Sequence, residues 1–132
     1  MKKLILVADD DAMYLKLLTD VLQAEGYTVI AAENGERAIA LARSARPGLI
    51  IMDVQMPLLD GFSAIRALKA ASETRSIPAI ALTALAMDGD RERLLAAGFD
   101  GYLSKPISMK ELRDEVSRQM KQTEKRPIQS GL

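Results

Sequence analysis

The sequence predicts an α/β fold: a doubly wound sheet of five parallel strands with helices on both faces. Two observations carry that reading. Short apolar runs alternate five times with longer stretches whose apolar residues recur at helical spacing, and such alternation gives parallel strands joined by right-handed crossover helices. The chain has 132 residues, 48% of them hydrophobic, which is the size and composition of one domain with an ordinary core.

The elements follow in order. Leu4-Ile5-Leu6-Val7-Ala8 is the first strand, apolar throughout as in a buried parallel sheet. Asp9-Asp10-Asp11 ends it. Met13, Leu15, Leu17, Leu18, Val21 and Leu22 then carry a helical period, and Gly26 supplies the stop. Residues 27–32 read as the second strand, Asn34-Gly35 as a turn, and 36–46 as a helix broken by Pro47-Gly48. Leu49-Ile50-Ile51-Met52 is the third strand, with Asp53 at its carboxyl end. Met56-Pro57 and Asp60-Gly61 mark a loop, residues 62–71 a third helix, and Ile77-Pro78 opens the strand 79–83. A fourth helix spans 88–97 and closes at Gly98, and residues 100–104 form a short fifth strand. After the loop at Lys105-Pro106, Ser108 caps a last helix running to about Met120, with Glu111 at the capping-box position. Residues 1–121 are thus one domain, and 122–132 a polar tail containing Pro127, expected to be flexible.

Composition removes whole classes of chemistry. Cysteine and histidine are both absent. That excludes disulfides, thiolate or imidazole zinc sites, Cys nucleophiles, Ser-His-Asp triads and a phosphohistidine on this chain. Lys+Arg and Asp+Glu balance at 18 each and the pI is about 6.3, so nothing electrostatic points to nucleic acid or an anionic membrane. The apolar run after Met1-Lys2-Lys3 is too short for a signal peptide, and no stretch approaches the ~20 residues of a membrane span. The expected compartment is the cytoplasm.

In an open parallel sheet, ligands bind beyond the carboxyl ends of the strands. The residues there are Asp9, Asp10 and Asp11 after strand 1, Asp53 after strand 3, Thr83 after strand 4 and Lys105 after strand 5. Clustered carboxylates repel by ~4 kcal/mol per pair at 4 Å and an effective dielectric near 20, so they need compensation. A hard divalent cation such as Mg²⁺ and the Lys105 ammonium supply it, and Thr83 can hydrogen-bond an anionic oxygen. The chemistry that fits is phosphoryl transfer to a carboxylate, giving an aspartyl phosphate. Asp53 is the expected acceptor, because it follows the most apolar strand and should sit deepest, between the acid pair and Lys105.

The segments Ile5 to Asp11, Ile51-Met52-Asp53 with Met56-Pro57 and Asp60-Gly61, Ala81-Leu82-Thr83-Ala84, and Tyr102-Leu103-Ser104-Lys105-Pro106-Ile107 resemble, in order and spacing, the response-regulator receiver family of the CheY-like kind. The resemblance covers roughly residues 3–121. It implies a flavodoxin-like sheet of strand order 2-1-3-4-5. It also implies Mg²⁺ held by Asp9, Asp10, Asp53 and the backbone carbonyl of Gln55. Lys105 is then paired with the phosphoryl group, with the bond to Pro106 often cis in relatives, and Thr83 and Tyr102 form a switch pair. The implied phosphodonor is a histidine kinase or a histidine phosphotransfer protein. The implied output is a protein target on the face of helix 4, strand 5 and helix 5. Ala86 to Glu92 is similar to small regulators of the DivK type and to receivers in hybrid histidine kinases. Leu59 and Ala8 depart from the usual pattern without touching a polar role. No output domain is expected after the receiver, and Met1 with the short tail leads to the expectation of a single-domain regulator over a phosphate-shuttle receiver cut from a hybrid kinase.

Plainer readings stand beside these. The aspartate triplet can serve as a helix cap, with Asp11 the expected cap. Thr83 can cap the following loop, Lys105 can be a solvated charge, and Tyr102 divides evenly between core packing and a switch role. Asp60-Gly61 is read as a turn without chemistry. Among other functions, a haloacid-dehalogenase-type phosphatase needs an Asp-x-Asp pattern, whereas position 55 is Gln. A flavodoxin-like cofactor binder needs donors where three carboxylates stand. A scaffold that never takes phosphate leaves the intact set of Asp9, Asp10, Asp53, Thr83 and Lys105 unexplained.

Overall fold

The computed structural model describes residues 3–56, 59–84 and 90–124. Five parallel strands, β1 (Leu4–Ala8), β2 (Thr28–Ala32), β3 (Leu49–Asp53), β4 (Ala79–Thr83) and β5 (Gly101–Ser104), form one sheet of order β2-β1-β3-β4-β5. The helices between and after them are α1 (Ala12–Ala24), α2 (Gly35–Ala45), α3 (Gly61–Ala70), α4 (Asp90–Ala97) and α5 (Met109–Glu124). This is the expected fold and strand order.

The two-residue period of the strands divides the core. Leu6, Ala8, Ile50, Met52, Ala79 and Ala81 pack on one face against Ala38, Ala42, Ala64, Ile65, Leu68 and Leu94, which belong to α2, α3 and α4. Their neighbours Ile5, Val7, Leu49, Ile51, Ile80 and Leu82 pack on the other face against Leu18, Leu22, Leu112 and Val116 of α1 and α5. Every residue of β3 and β4 is buried. A strand covered on both faces gains on every side chain, which is why these runs read as continuously apolar.

The helices start and stop on identifiable chemistry. Asp11 caps α1 by accepting from the Met13 N–H, and Ser108 Oγ accepts from the Glu111 N–H at the start of α5. Gly26 and Gly98 follow their helices with φ of 98° and 121°, the left-handed region that glycine enters without a Cβ penalty.

Two dipeptides expected as turns are helix caps instead. Asn34 accepts from the Arg37 N–H and Asp60 from the Ser63 N–H, and Gly35 and Gly61 are the first residues of α2 and α3. Tyr27 lies outside β2 because its N–H bonds the Leu22 carbonyl and closes α1. The last helix runs to Glu124, past the expected Met120, since no glycine or proline interrupts the stretch before Pro127. Pro57, the start of the fourth helix at Asp88, the DivK-like residues Ala86 to Gly89 and the tail from residue 125 lie outside the described residues.

Candidate functional site

The carboxyl ends of β1, β3, β4 and β5 converge, and each delivers its residue by extending the sheet one step. The Asp9 N–H bonds the Ala32 carbonyl at 3.1 Å, continuing the β1–β2 ladder and burying Asp9 completely. Asp53 is the last residue of β3, in register with Leu82 of β4. The Lys105 N–H bonds the Thr83 carbonyl at 2.8 Å, carrying the β4–β5 pairing past Ser104. The Lys105–Pro106 peptide that follows is cis.

Asp9, Asp10 and Asp53 each bring a carboxylate oxygen within 4.8 Å of the others. Asp53 is held at both oxygens: Oδ1 accepts from the Gln55 N–H at 2.9 Å and Oδ2 from Lys105 Nζ at 2.9 Å. Asp9 Oδ1 accepts from the Asp11 N–H at 2.9 Å. Its Oδ2 lies 3.0 Å from Lys105 Nζ, so the two buried acids share one ammonium. Asp10 is exposed and lines a cleft of about 580 Å³ with Gln55, Asp60, Phe62 and Arg93.

Burial pushes the Asp9 carboxyl above its ordinary range and the Asp53 charge adds to that. The Asp11 N–H and the nearby Lys105 offset only part of the shift. Burial works to lower the Lys105 pKa, but its contacts with Asp53 and Asp9 outweigh burial and hold it above the usual lysine value. One ammonium cannot balance three carboxylates. The candidate ligands are all carboxylate oxygens, within 4.8 Å of one another. Such a set fits a hard cation, and Mg²⁺ suits it.

The two residues expected as a switch pair differ in exposure. Thr83 is buried at the end of β4 and lines a small space with Val54, Phe62, Asp90, Arg93 and Leu94. Tyr102 sits on the edge strand β5 at 40% exposure, facing a groove shared with Glu111, Asp114, Glu115 and Arg118. It is therefore not a core residue here.

Two residues that matter escape a reading of the sequence. A Cβ on Gly61 would lie 2.6 Å from the Asp53 carbonyl oxygen and 2.6 Å from Val54 Cα, so α3 starts pressed against the backbone of the candidate acceptor. The Asp-Gly dipeptide signals a chain reversal equally well, and nothing local reveals that close approach. Tyr14, in the first turn of α1, places its ring centroid 4.4 Å from Lys105 Nζ. No periodicity links two residues so far apart in the chain.

Comparison with known proteins agrees with this geometry. The response regulator receiver domain family matches residues 5–117. The polar-differentiation response regulator DivK of Brucella anthropi is 44% identical over 109 residues, 83% of this chain and 89% of that protein. The receiver domain of the sensor histidine kinase PA1611 from Pseudomonas aeruginosa PAO1 was solved with a magnesium ion coordinated in its active-site cleft. It superposes with a TM-score of 0.84 at 37% identity, covering 91% of this chain and 98% of that one. The chemotaxis response regulator CheY4 of Vibrio cholerae superposes with a TM-score of 0.85 at 30% identity, covering 90% and 99%. With the family matched over most of its length and the fold shared throughout, the chain belongs to the response regulator receiver domain family, the signalling switches of two-component systems rather than classical enzymes, and is DivK-like within it.

Proposed function

We propose that this receiver takes a phosphoryl group on Asp53, with Mg²⁺ held by Asp9, Asp10, Asp53 and the backbone carbonyl of Gln55. The observation that carries the reading is the acceptor's setting. The Asp53 carboxylate ends the central buried strand, is fixed at one oxygen by the Gln55 N–H and at the other by Lys105, and shares its cleft with two further carboxylates. The magnesium ion in the active-site cleft of the PA1611 receiver supports the choice of metal. No helix among the described residues is long and apolar enough to cross a membrane, and the protein works in the cytoplasm in this reading.

The donor is the phosphohistidine of a histidine kinase or phosphotransfer protein, since this chain has no histidine. An Asp53 carboxylate oxygen attacks phosphorus, the new O–P bond forms, and the N–P bond breaks with its electron pair leaving on the imidazole. Mg²⁺, when bound, supplies neutralisation of charge between the carboxylates and the phosphoryl oxygens. The Gln55 N–H and Lys105 hold the nucleophile in place, and Lys105 follows the charge onto the phosphoryl group. The phosphate adds a charge of about −1.5 to −2. That charge biases Thr83 and the outward Tyr102 towards a second arrangement, and a full switch from 1:99 to 99:1 takes about 5.5 kcal/mol of differential stabilisation. A protein target reads the change on the face of α4, β5 and α5. Residues 1–121 make up the working domain.

Intact mass after incubation with acetyl phosphate tests the reading. One phosphoryl group should be gained, only with Mg²⁺, and lost in Asp53→Asn. Labelling that persists in that variant puts the acceptor elsewhere, and no gain in folded wild-type protein removes the phosphoacceptor function.

A further inference from the structure

The Lys105 ammonium is enclosed from three directions. Asp53 Oδ2 lies 2.9 Å from Nζ and Asp9 Oδ2 3.0 Å, and the Tyr14 ring centroid stands 4.4 Å away. Only the two carboxylates have a role in the phosphoacceptor reading above. A lysine side chain is a flexible four-carbon stem that carries a strongly hydrated charge, so two anions restrain it without excluding other rotamers. An aromatic face within about 6 Å attracts a cation, and more so where water is kept out. Here the lysine side chain is 16% exposed and Tyr14 is half-buried. The first turn of α1, which carries Tyr14, is itself fixed by the Asp11 cap on the Met13 N–H.

We propose that Tyr14 is a positioning residue: its ring holds the Lys105 ammonium over the Asp9–Asp53 pair, so that a phosphoryl oxygen arriving at Asp53 meets a cation already in place. The proposal rests on the phosphoacceptor reading of Asp53. It needs the ring and not the hydroxyl, so phenylalanine substitutes for tyrosine and leucine does not.

Two measurements separate the contact from the chemistry. In NMR spectra the Lys105 ε-methylene protons, assigned by their disappearance in Lys105→Met, are expected upfield of an ordinary lysine in the wild type and in Tyr14→Phe. They return to the ordinary position in Tyr14→Leu. Unshifted protons in the wild type overturn the proposal whatever the protein does with phosphate. The second measurement is the rate of phosphorylation by acetyl phosphate with saturating Mg²⁺. Tyr14→Leu is expected to be about 3- to 10-fold slower and Tyr14→Phe within about twofold of wild type, the range a cation–π contact of this kind supports. The apparent Mg²⁺ affinity should stay unchanged across all three. A Tyr14→Leu rate equal to wild type overturns the positioning role while leaving the phosphoacceptor reading standing. A wild type that takes no phosphate overturns both, and the ring-current shift then reports only the contact.

Discussion

Replacing Asp9 with asparagine should stabilise the metal-free protein, and the structure says by how much. The Asp9 carboxylate is attracted to Lys105 at 3.0 Å, worth about 5–6 kcal/mol at an effective dielectric near 20. It is repelled by Asp53 across up to 4.8 Å, costing about 3–4 kcal/mol on the same scale. Complete burial adds a desolvation penalty of several kcal/mol for the ion. The balance is unfavourable, in keeping with a carboxyl whose pKa burial raises above the ordinary range. Asparagine keeps the shape and the acceptor for the Asp11 N–H, removes the charge and leaves Lys105 to Asp53. Urea unfolding in EDTA at neutral pH should therefore show a gain of about 1–2 kcal/mol, and 1 kcal/mol moves the Tm of a domain this size by about 3–6 °C. The sign with pH follows from the raised native pKa, because the folded state binds the proton more readily than the unfolded one. Stability of the metal-free wild type should rise as pH falls below neutral into the window between Asp9's raised folded pKa and its ordinary value of 3.8. Asp9→Asn should lack that rise. With Mg²⁺ in excess the order reverses, since the ion stabilises only the protein that holds it. A variant less stable than wild type in EDTA would refute the reasoning, because the Lys105 ion pair would then outweigh burial and repulsion.

Two further substitutions test how the site is built. Gly61→Ala places a Cβ 2.6 Å from the Asp53 carbonyl oxygen and from Val54 Cα, so chemical denaturation should show a loss of about 1–3 kcal/mol, with acetyl-phosphate labelling of Asp53 slowed as β3 gives way. Asn34→Ala removes the acceptor for the Arg37 N–H and should cost about 0.5–2 kcal/mol of stability, leaving the labelling rate unchanged because α2 starts from the edge of the sheet.

How much of this was legible follows from the range of the signals. Strands β1 and β3 were readable because burial on both faces keeps them apolar up to Asp53 at the end of β3, and the parallel order then carries Asp9, Asp10, Asp53, Thr83 and Lys105 to one edge. Asp11 as a cap was readable because its partner lies two residues on. Asn34-Gly35 and Asp60-Gly61 were not resolved, since an Asx-Gly pair suits a turn and a helix start equally and only the packing of α2 and α3 decides. In Gly35 the missing side chain leaves room for the Leu59 backbone, and in Gly61 for Asp53. The first contact spans 24 residues and the second closes the loop between β3 and α3, and neither leaves a mark in the local sequence. The outward placement of Tyr102 follows from the edge position of β5, whose residues alternate buried and exposed; the sequence supplied the strand without its place in the burial pattern. The Tyr14–Lys105 contact had no sequence signal at all.

The unequal burial of the acids orders what the cluster can do. Asp9 is fully buried and Asp53 nearly so, while Asp10 faces solvent in the cleft. The charge imbalance therefore falls on the two residues that cannot relieve it by hydration, and both depend on the same ammonium. In the proposed reading that dependence links the resting and phosphorylated states. When Lys105 moves towards a phosphoryl oxygen it leaves Asp9 Oδ2, a buried oxygen that it neutralises at 3.0 Å. That loss is tolerable only if a cation remains beside Asp9. Phosphorylation and metal binding are then coupled through one oxygen atom. Removing Mg²⁺ after phosphorylation should destabilise the fold more than removing it before, and asparagine at position 9 should abolish that difference.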